Sequence, residues 1–532
     1  VADNQVYLKQ NVLAEPLFNQ WYAWSHLISP ANAAMYINNV HLKIMQSFVA
    51  APQVHASAYK NPEMIGGPFM NYDASRMQEV KTLLDKTIKE QAHMIAFAQA
   101  LQGFEKTFVD ESDGISLEAM YKQVPDALRG YVELVYDLNN QPSIRFIEGL
   151  LYRSPYYNAA SQSLALSLVE ADERAFVLST PRLEDNAHVH VGLPFEHEAL
   201  DELFAMKFTP KSYERIKDML QIRKADEARF ASFFTTEPAQ TAPRFDGEGV
   251  RVRYFGHACL LIESKNVAIL TDPVISYKIN SEIQRCTYAD LPEAIDYAII
   301  THNHQDHCMF ECLLQLRHKI KTLVVPRTGG GALADPSLKL ALQKIGFKNV
   351  IEIDEMESLE IPGGSITGLP FLGEHADLNI RAKLGYCIKL ENRSIVAVAD
   401  SNNIEPRLYD NIHHLISDVD LFFIGMECDG APMSWIYGAL LTRPMPRKFD
   451  QSRRLNGSNF EKARDILSRF NPSQAYVYAM GQEPWLNHIV AIKYTDQSVP
   501  IVESNKLVQW CRERGVESER LFGHKDILLH AN

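Results

Sequence analysis

Thr301-His302-Asn303-His304-Gln305-Asp306-His307 follows directly on the apolar run Tyr297-Ala298-Ile299-Ile300. Four side chains of metal-ligand type therefore fall within six residues at the end of a strand. A loop there can curl so that His302 and His304 reach one cation while Asp306 and His307 reach a second, close enough for the two to share a bridging oxygen. The spacing suits two metals better than one. An H-x-H pair alone is common among solvated or packed imidazoles, whereas H-x-H-x-D-H closing a strand is a specific pattern.

On both sides of this motif short apolar runs alternate with turns. Residues 250–263, 267–272, 297–301, 322–325, 350–353, 386–390, 395–400, 421–425 and 475–479 read as strands. Helical segments between them, around 313–319, 338–345 and 460–470, make the region mixed α/β. The first 235 residues have another texture. They are mixed and helix-rich, and Val80, Leu84, Ile88, Ile95 and Ala98 recur at helical spacing along an amphipathic helix expected over 76–104. Residues 235–249, with Pro238, Pro243 and three Thr, have the composition of a linker. The expected domains are 1–240 and 241–532.

The chain has 532 residues, 46 % of them apolar and 22 % charged, a composition that folds throughout. A net charge of −13 and a pI near 5.8 oppose a nucleic-acid partner, which calls for a basic face. No run of 18 apolar residues lacks a charge, and Val1-Ala-Asp-Asn-Gln-Val-Tyr7 has no basic stretch leading into an apolar one. No membrane association is expected. All seven cysteines lie at or beyond Cys259 and read as reduced thiols in a cytoplasm. Cys308 and Cys312, four apart on an expected helix, read as part of a buried apolar face.

The H-x-H-x-D-H motif, with Tyr254-Phe-Gly-His-Ala-Cys-Leu-Leu-Ile-Glu263 and Leu270-Thr-Asp-Pro273 upstream, resembles the metallo-β-lactamase superfamily signature over roughly residues 250–500. The resemblance implies a C-terminal αββα sandwich behind a mixed, helix-rich N-terminal domain. It also implies further ligands at later strand ends: a His, a bridging Asp and a final His. Asp400 closes the run Ser394-Ile-Val-Ala-Val-Ala399 and is the expected bridge. In Gly373-Glu374-His375-Ala-Asp-Leu378 the two candidate ligands are adjacent, and on an extended segment they would point to opposite sides.

The G-E-H-x-D-L context is similar to a narrower group, the diiron β-hydroxylase of chloramphenicol biosynthesis and its relatives, where Glu takes the place usually held by His. That group also has a long N-terminal domain. The resemblance implies the ligand set His302, His304, Asp306, His307, Glu374, Asp400 and a last His, for which His488 is chosen. His413 and His414 come too soon after Asp400, and His524 and His530 lie close to the chain end. A carboxylate-enriched set favours iron over redox-inert zinc. The implied cofactors are two oxo- or hydroxo-bridged iron ions, with O2 as cosubstrate and an external electron donor. The implied reaction is β-hydroxylation of an aminoacyl group tethered to a peptidyl carrier domain of a nonribosomal peptide synthetase. An unidentified reductase and a homodimer complete the expected partners. The alternative is a dizinc hydrolase of esters, lactones or phosphodiesters, which His375 as ligand would support.

Other features have plainer readings. Asp272 is expected to hydrogen-bond a ligand imidazole, and His257 is either a brace of the site or a core histidine. Glu90-x-x-His93 is a single copy of a pattern that needs two. His188, His190 and His197 read as structure or surface. The basic stretch 443–454 either lines the mouth of the site or is a solvated loop. Gly329-Gly330-Gly331 reads as a flexible turn.

Overall fold

A computed structural model describes residues 5–531, so Val1–Asn4, part of the N-terminal stretch read for export signals, lie outside it. Two seven-stranded sheets form the second half. In the first, Val350–Ile353, Ile320–Pro326, Ile295–Ile299 and Ala268–Thr271 run parallel. Cys259–Glu263, Val250–Gly256 and Lys525–Leu529 continue this sheet antiparallel. The second sheet has the same plan: three antiparallel pairings from Ser358–Ile361 to Arg393–Ala397, then parallel strands Leu421–Gly425, Gln474–Tyr478 and Glu517–Arg520. Val252, Ile262, Ile269, Ile366, Tyr386, Phe423 and Tyr478 belong to the dry core of the sandwich. Helices Pro406–Ile416, Phe460–Phe470 and Val499–Arg512 cover the outer face of the second sheet. The αββα architecture is the expected one.

The first half is built on an antiparallel sheet ordered Trp21–Tyr22, Val12–Phe18, Gln162–Leu168, Val189–Val191. Its helices do not close a separate core. One apolar cluster runs from Phe97, Leu101 and Phe204 through Leu313 and Leu342 to Leu270 and Leu323 of the first sheet. The expected single helix over 76–104 is instead two, Met77–Glu90 and Ala92–Glu111. Buried Gln91 breaks it at φ −102°, ψ 18° and donates through Nε2 to Ser161 Oγ at 2.8 Å, a side-chain bond that periodicity cannot reveal. Ile88 is accordingly exposed.

Several smaller readings change. The helix after the metal motif starts at Phe310, so Cys308 lies in the turn before it; all seven cysteines are free thiols. The triple-glycine turn is docked against the first half. Gly331, at φ +89°, would place a Cβ 2.2 Å from the Phe146 carbonyl, and Phe146 N–H donates to Gly331 O at 2.8 Å. His188 pairs with Asp185, and His197 caps the helix Glu198–Ala205, both structural roles. Among the described residues no helix is long and apolar enough to cross a membrane.

Candidate metal centre

The parallel strands of both sheets deliver their C-terminal ends to one edge of the sandwich, the usual place for sites in α/β sheets. Ile295–Ile299 leads to the His302–His307 loop, Ala268–Thr271 to Asp272, Arg393–Ala397 to Asp400 and Leu421–Gly425 to Glu427. His302 Nε2 lies 3.1 Å from His304 Nδ1 and 3.6 Å from Asp400 Oδ2. Glu374 Oε1 is 3.1 Å from His304 Nδ1, and its Oε2 is 3.9 Å from His302 Nε2. His307 Nε2 is 2.9 Å from Asp400 Oδ2, so Asp400 lies between two groups of donors. Potential ligand atoms cluster as His302, His304, Glu374 and His375; as His257, Asp306 and His307; and as His302, His307 and Asp400.

Hydrogen bonds outside the cluster fix the imidazoles. Asp272 Oδ2 accepts from His307 Nδ1 at 2.8 Å and from Thr301 Oγ1 at 2.6 Å, while its Oδ1 accepts from Thr301 N–H at 2.7 Å. Because the Thr301 hydroxyl proton goes to Asp272, its oxygen is free to accept from His302 Nδ1, 3.0 Å away. One buried carboxylate therefore orients two imidazoles and leaves both Nε2 lone pairs facing the cluster. Tyr437 Oη, 3.0 Å from Nε2, anchors His304 from the far side. The expectation for Asp272 is met, with His302 added through Thr301.

His257 also reaches the site, 3.3 Å from Asp306 Oδ2 and 3.2 Å from His307 Nε2. Its Nδ1 accepts from Gly481 N–H at 3.1 Å. The neutral ring then carries its proton on Nε2, which makes it a donor to Asp306 and not a ligand.

Glu374 and His375 both face the centre, against the expectation that they diverge. The segment is not a strand: Gly373, Glu374, Ala376 and Asp377 all have φ between +54° and +77°. At Gly373 a Cβ would lie 2.3 Å from Asn402 Cβ, so only glycine fits. The curled chain stacks the His375 ring on His304 at 4.7 Å and sets His375 Nδ1 3.1 Å from Glu374 Oε2. Arg453 pins the loop by donating through Nε to the Ala376 carbonyl at 2.8 Å.

His488 is not at the centre, which corrects the expected last ligand. After Gln474–Tyr478 the backbone at Ala479 and Gly481 is tied to His257. The chain then turns toward the first half, where Val177 N–H donates to His488 O at 2.9 Å. The His488 ring lies edge-on to Tyr22 at 5.9 Å, with Nε2 3.8 Å from Glu311.

Glu427 is the residue that sequence reading missed. It lines a cavity of about 570 Å³ together with Asp306, Glu374, Asp400 and Arg454, so the basic stretch supplies one arginine to the mouth. The signal was present: Glu427 follows the end of a recognised strand, as Asp400 does. Burial, then the neighbouring Asp400, Asp306 and Glu374, push its carboxyl well above the usual range. Burial likewise lifts Glu374 to about 7, against the pull of His304. Glu374 Oε2, Asp400 Oδ1 and His375 Nε2 are buried without a hydrogen-bond partner. Crowded carboxylates, orphaned acceptors and imidazole lone pairs within 4.8 Å of one another fit cations between them.

Residues 7–238 match the family described as the diiron non-heme β-hydroxylase N-terminal domain, and residues 268–437 match a β-lactamase superfamily domain. Over 529 residues the chain is 38 % identical to the 4-amino-L-phenylalanyl-(CmlP-peptidyl-carrier-protein) 3-hydroxylase of Streptomyces venezuelae, covering 98 % of this chain and 99 % of that one. The crystal structure of CmlA, a diiron β-hydroxylase from Streptomyces venezuelae, superposes with a TM-score of 0.93 at 36 % identity, over 99 % of this chain and 100 % of that one. A variant of that hydroxylase gives 0.90 at 35 % identity, over 98 % and 100 %.

Proposed function

We propose that this chain, which belongs to the diiron non-heme β-hydroxylase family, hydroxylates the β-carbon of an aminoacyl group presented on a peptidyl carrier domain. The reaction consumes O2, two electrons and two protons, places one oxygen atom between carbon and hydrogen, and releases the other as water. The electrons come from a separate reductase. Division of the chain near residue 240 is part of the same reading, with the first domain serving dimerisation or carrier docking as well as bracing the metal loop.

The observation that carries the proposal is the donor set. His302, His304 and Glu374 would hold one iron, Asp306 and His307 the other, and Asp400 would stand between them. Three carboxylates among six ligands suit a hard cation that changes charge. Bound there, two ferrous ions supply the two-electron reduction of O2 that zinc cannot. The chain's own residues do the positioning. Asp272, through Thr301, holds two imidazoles in one tautomer, Tyr437 Oη holds His304, and His257 Nε2–H steers Asp306. His375 packs beside Glu374, with its Nδ1 toward the Gly373 carbonyl at 3.4 Å.

The test is metal content with ultraviolet-visible and Mössbauer spectra on protein from iron-supplemented cells. About two irons per chain as an antiferromagnetically coupled pair, together with loss of iron preference in Glu374→His, is the expected result. Two zincs and no iron after supplementation would overturn it in favour of a hydrolase. Molar mass in solution tests the homodimer.

A further inference from the structure

Beside the metal cavity lies a second one of about 420 Å³, between the two halves of the chain. Gln305, Trp435 and Ile436 line both. Gln305 sits between His304 and Asp306, so the two spaces adjoin at the metal loop itself. Their linings are opposite in character. The metal cavity carries the carboxylates already described, exposed Glu63 and Asp429, and Arg454. The second is walled by Trp24, Tyr36, Val40, Ile44, Leu178 and Trp435, and no Asp, Glu, Lys or Arg lines it.

An apolar space of this kind costs stability, so it persists only between walls that do not collapse. Here they are fastened. Tyr36 Oη donates to Ile436 O at 2.6 Å and Asn39 Nδ2 to Ala439 O at 2.8 Å, tying the first half to the turn whose Tyr437 holds His304. Between helices Pro30–Tyr36 and Leu42–Ala50 the chain makes one π-helical turn, Ile37–His41, a distortion that recurs at functional sites. That turn supplies Val40 to the wall. Gln305 is the exception to this fastening. Among the described residues its side chain makes no hydrogen bond, so the group that separates the two spaces is free to swing. Apolar cavities of roughly 150 Å³ already stay dry and take up small apolar solutes such as xenon.

We infer, on the hydroxylase reading above, that this chamber binds a small apolar gas and is the route by which O2 reaches the metal centre once the substrate is in place. A carrier-tethered substrate enters the metal cavity from its solvent mouth, and its tether then occupies that mouth. The chamber gives a second approach from the far side of Gln305, ending beside His304 and Asp306. O2 is uncharged and apolar, so it passes from water into such a lining, whereas ions and charged solutes find nothing there to compensate them.

The test is run on iron-loaded, full-length protein. Crystals held under xenon pressure should show the gas in the chamber. Val40→Trp and Leu178→Trp fill the space from half-buried positions far apart in the chain, so one serves if the other fails to fold. Both should lose the xenon, keep wild-type iron content and bind an aminoacyl carrier as the wild type does. Stopped-flow mixing of the diferrous protein with O2 then gives the oxidation rate. With the carrier bound, the filled variants should react about tenfold more slowly than the wild type; without it, when the mouth is open, they should stay within about twofold. No xenon in the wild-type chamber, or an unchanged rate in the carrier-bound variants, would overturn the inference. Weaker carrier binding would do so by assigning the chamber to the substrate, and equal slowing with and without carrier by showing a damaged centre in place of a closed route. Failure of the hydroxylase reading looks different: a centre that holds no iron and leaves O2 unreduced, whatever fills the chamber.

Discussion

Replacing Asp272 with Asn separates charge from hydrogen-bond capacity at a single buried point. The carboxylate is fully buried and takes three protons: Thr301 N–H, the Thr301 hydroxyl and His307 Nδ1–H. An amide can accept at only one of its two positions. If its oxygen takes the place of Oδ2, the NH2 meets Thr301 N–H, leaving a buried donor unsatisfied at about 1–3 kcal/mol. If it flips, the NH2 faces His307 Nδ1 and the Thr301 hydroxyl. Both imidazole protons then move toward Nε2, which faces Asp400.

The molecule adopts whichever orientation costs less, and metal binding shifts that choice. Loss of such an orienting partner lowers metal affinity by about 10- to 100-fold, which is about 1.4–2.7 kcal/mol. Ferrous affinity is measured by competition with a chromophoric chelator, and metal-free stability by urea unfolding. Thr301→Val keeps the backbone donor and the His307 contact while cutting the link to His302, so its loss of affinity should be smaller. An Asp272→Asn protein that binds iron within about twofold of wild type and unfolds at the same urea concentration would refute the relay.

Arg174→Met should destabilise by about 3–5 kcal/mol in urea unfolding, because Arg174 joins buried Glu15 and Glu311 across the halves at 3.2 and 2.8 Å; adding Glu311→Gln should recover most of the loss. Lys207, held by the Gln10 carbonyl at 3.1 Å, is pushed by burial down to about 7. Below pH 7 both folded and unfolded states carry its proton, and from 7 to 10.5 the unfolded state binds more. Wild-type stability should therefore rise with pH across that window, and a pH series of urea melts should show the rise flattened in Lys207→Met. Gly373→Ala forces a Cβ against Asn402 at φ +77°, and metal analysis should show fewer than two irons per chain because Glu374 is displaced.

The sandwich and the clustering of the first candidate ligands were legible because they depend on local pattern: apolar runs of strand length, and ligand-type side chains crowded at a strand end. What stayed hidden depends on the backbone leaving those patterns. Glu374 and His375 were separated by assuming an extended segment, whereas left-handed residues from Gly373 to Asp377 curl both inward. His257 was ambiguous because it sits in a two-residue turn, at φ +51° after Gly256 at +114°, which turns it to the same edge as the ligands. His488 was chosen by chain order, and chain order does not report that residues 482–490 cross to the other half. The break at Gln91 rests on a bond to Ser161, seventy positions away.

The metal loop also depends on residues that carry no ligand-like signal. Ser25 Oγ hydrogen-bonds Asn303, between His302 and His304, and Arg174 grips Glu311 on the helix that follows His307. Tyr36 and Asn39 hold the turn that bears Tyr437. Each fastening point lies in the first half and acts either on a candidate ligand within a few residues of its contact or on the tyrosine that holds His304. Ligand geometry and interdomain packing therefore belong to one equilibrium. Iron that binds only the fastened arrangement stabilises the interface by the free energy that the interface contributes to iron affinity. The continuous apolar cluster makes the same point energetically, since parting the halves would expose residues such as Leu313 and Leu342, each worth about 1.5–3 kcal/mol when buried. The first half is thus part of the metal site's wall.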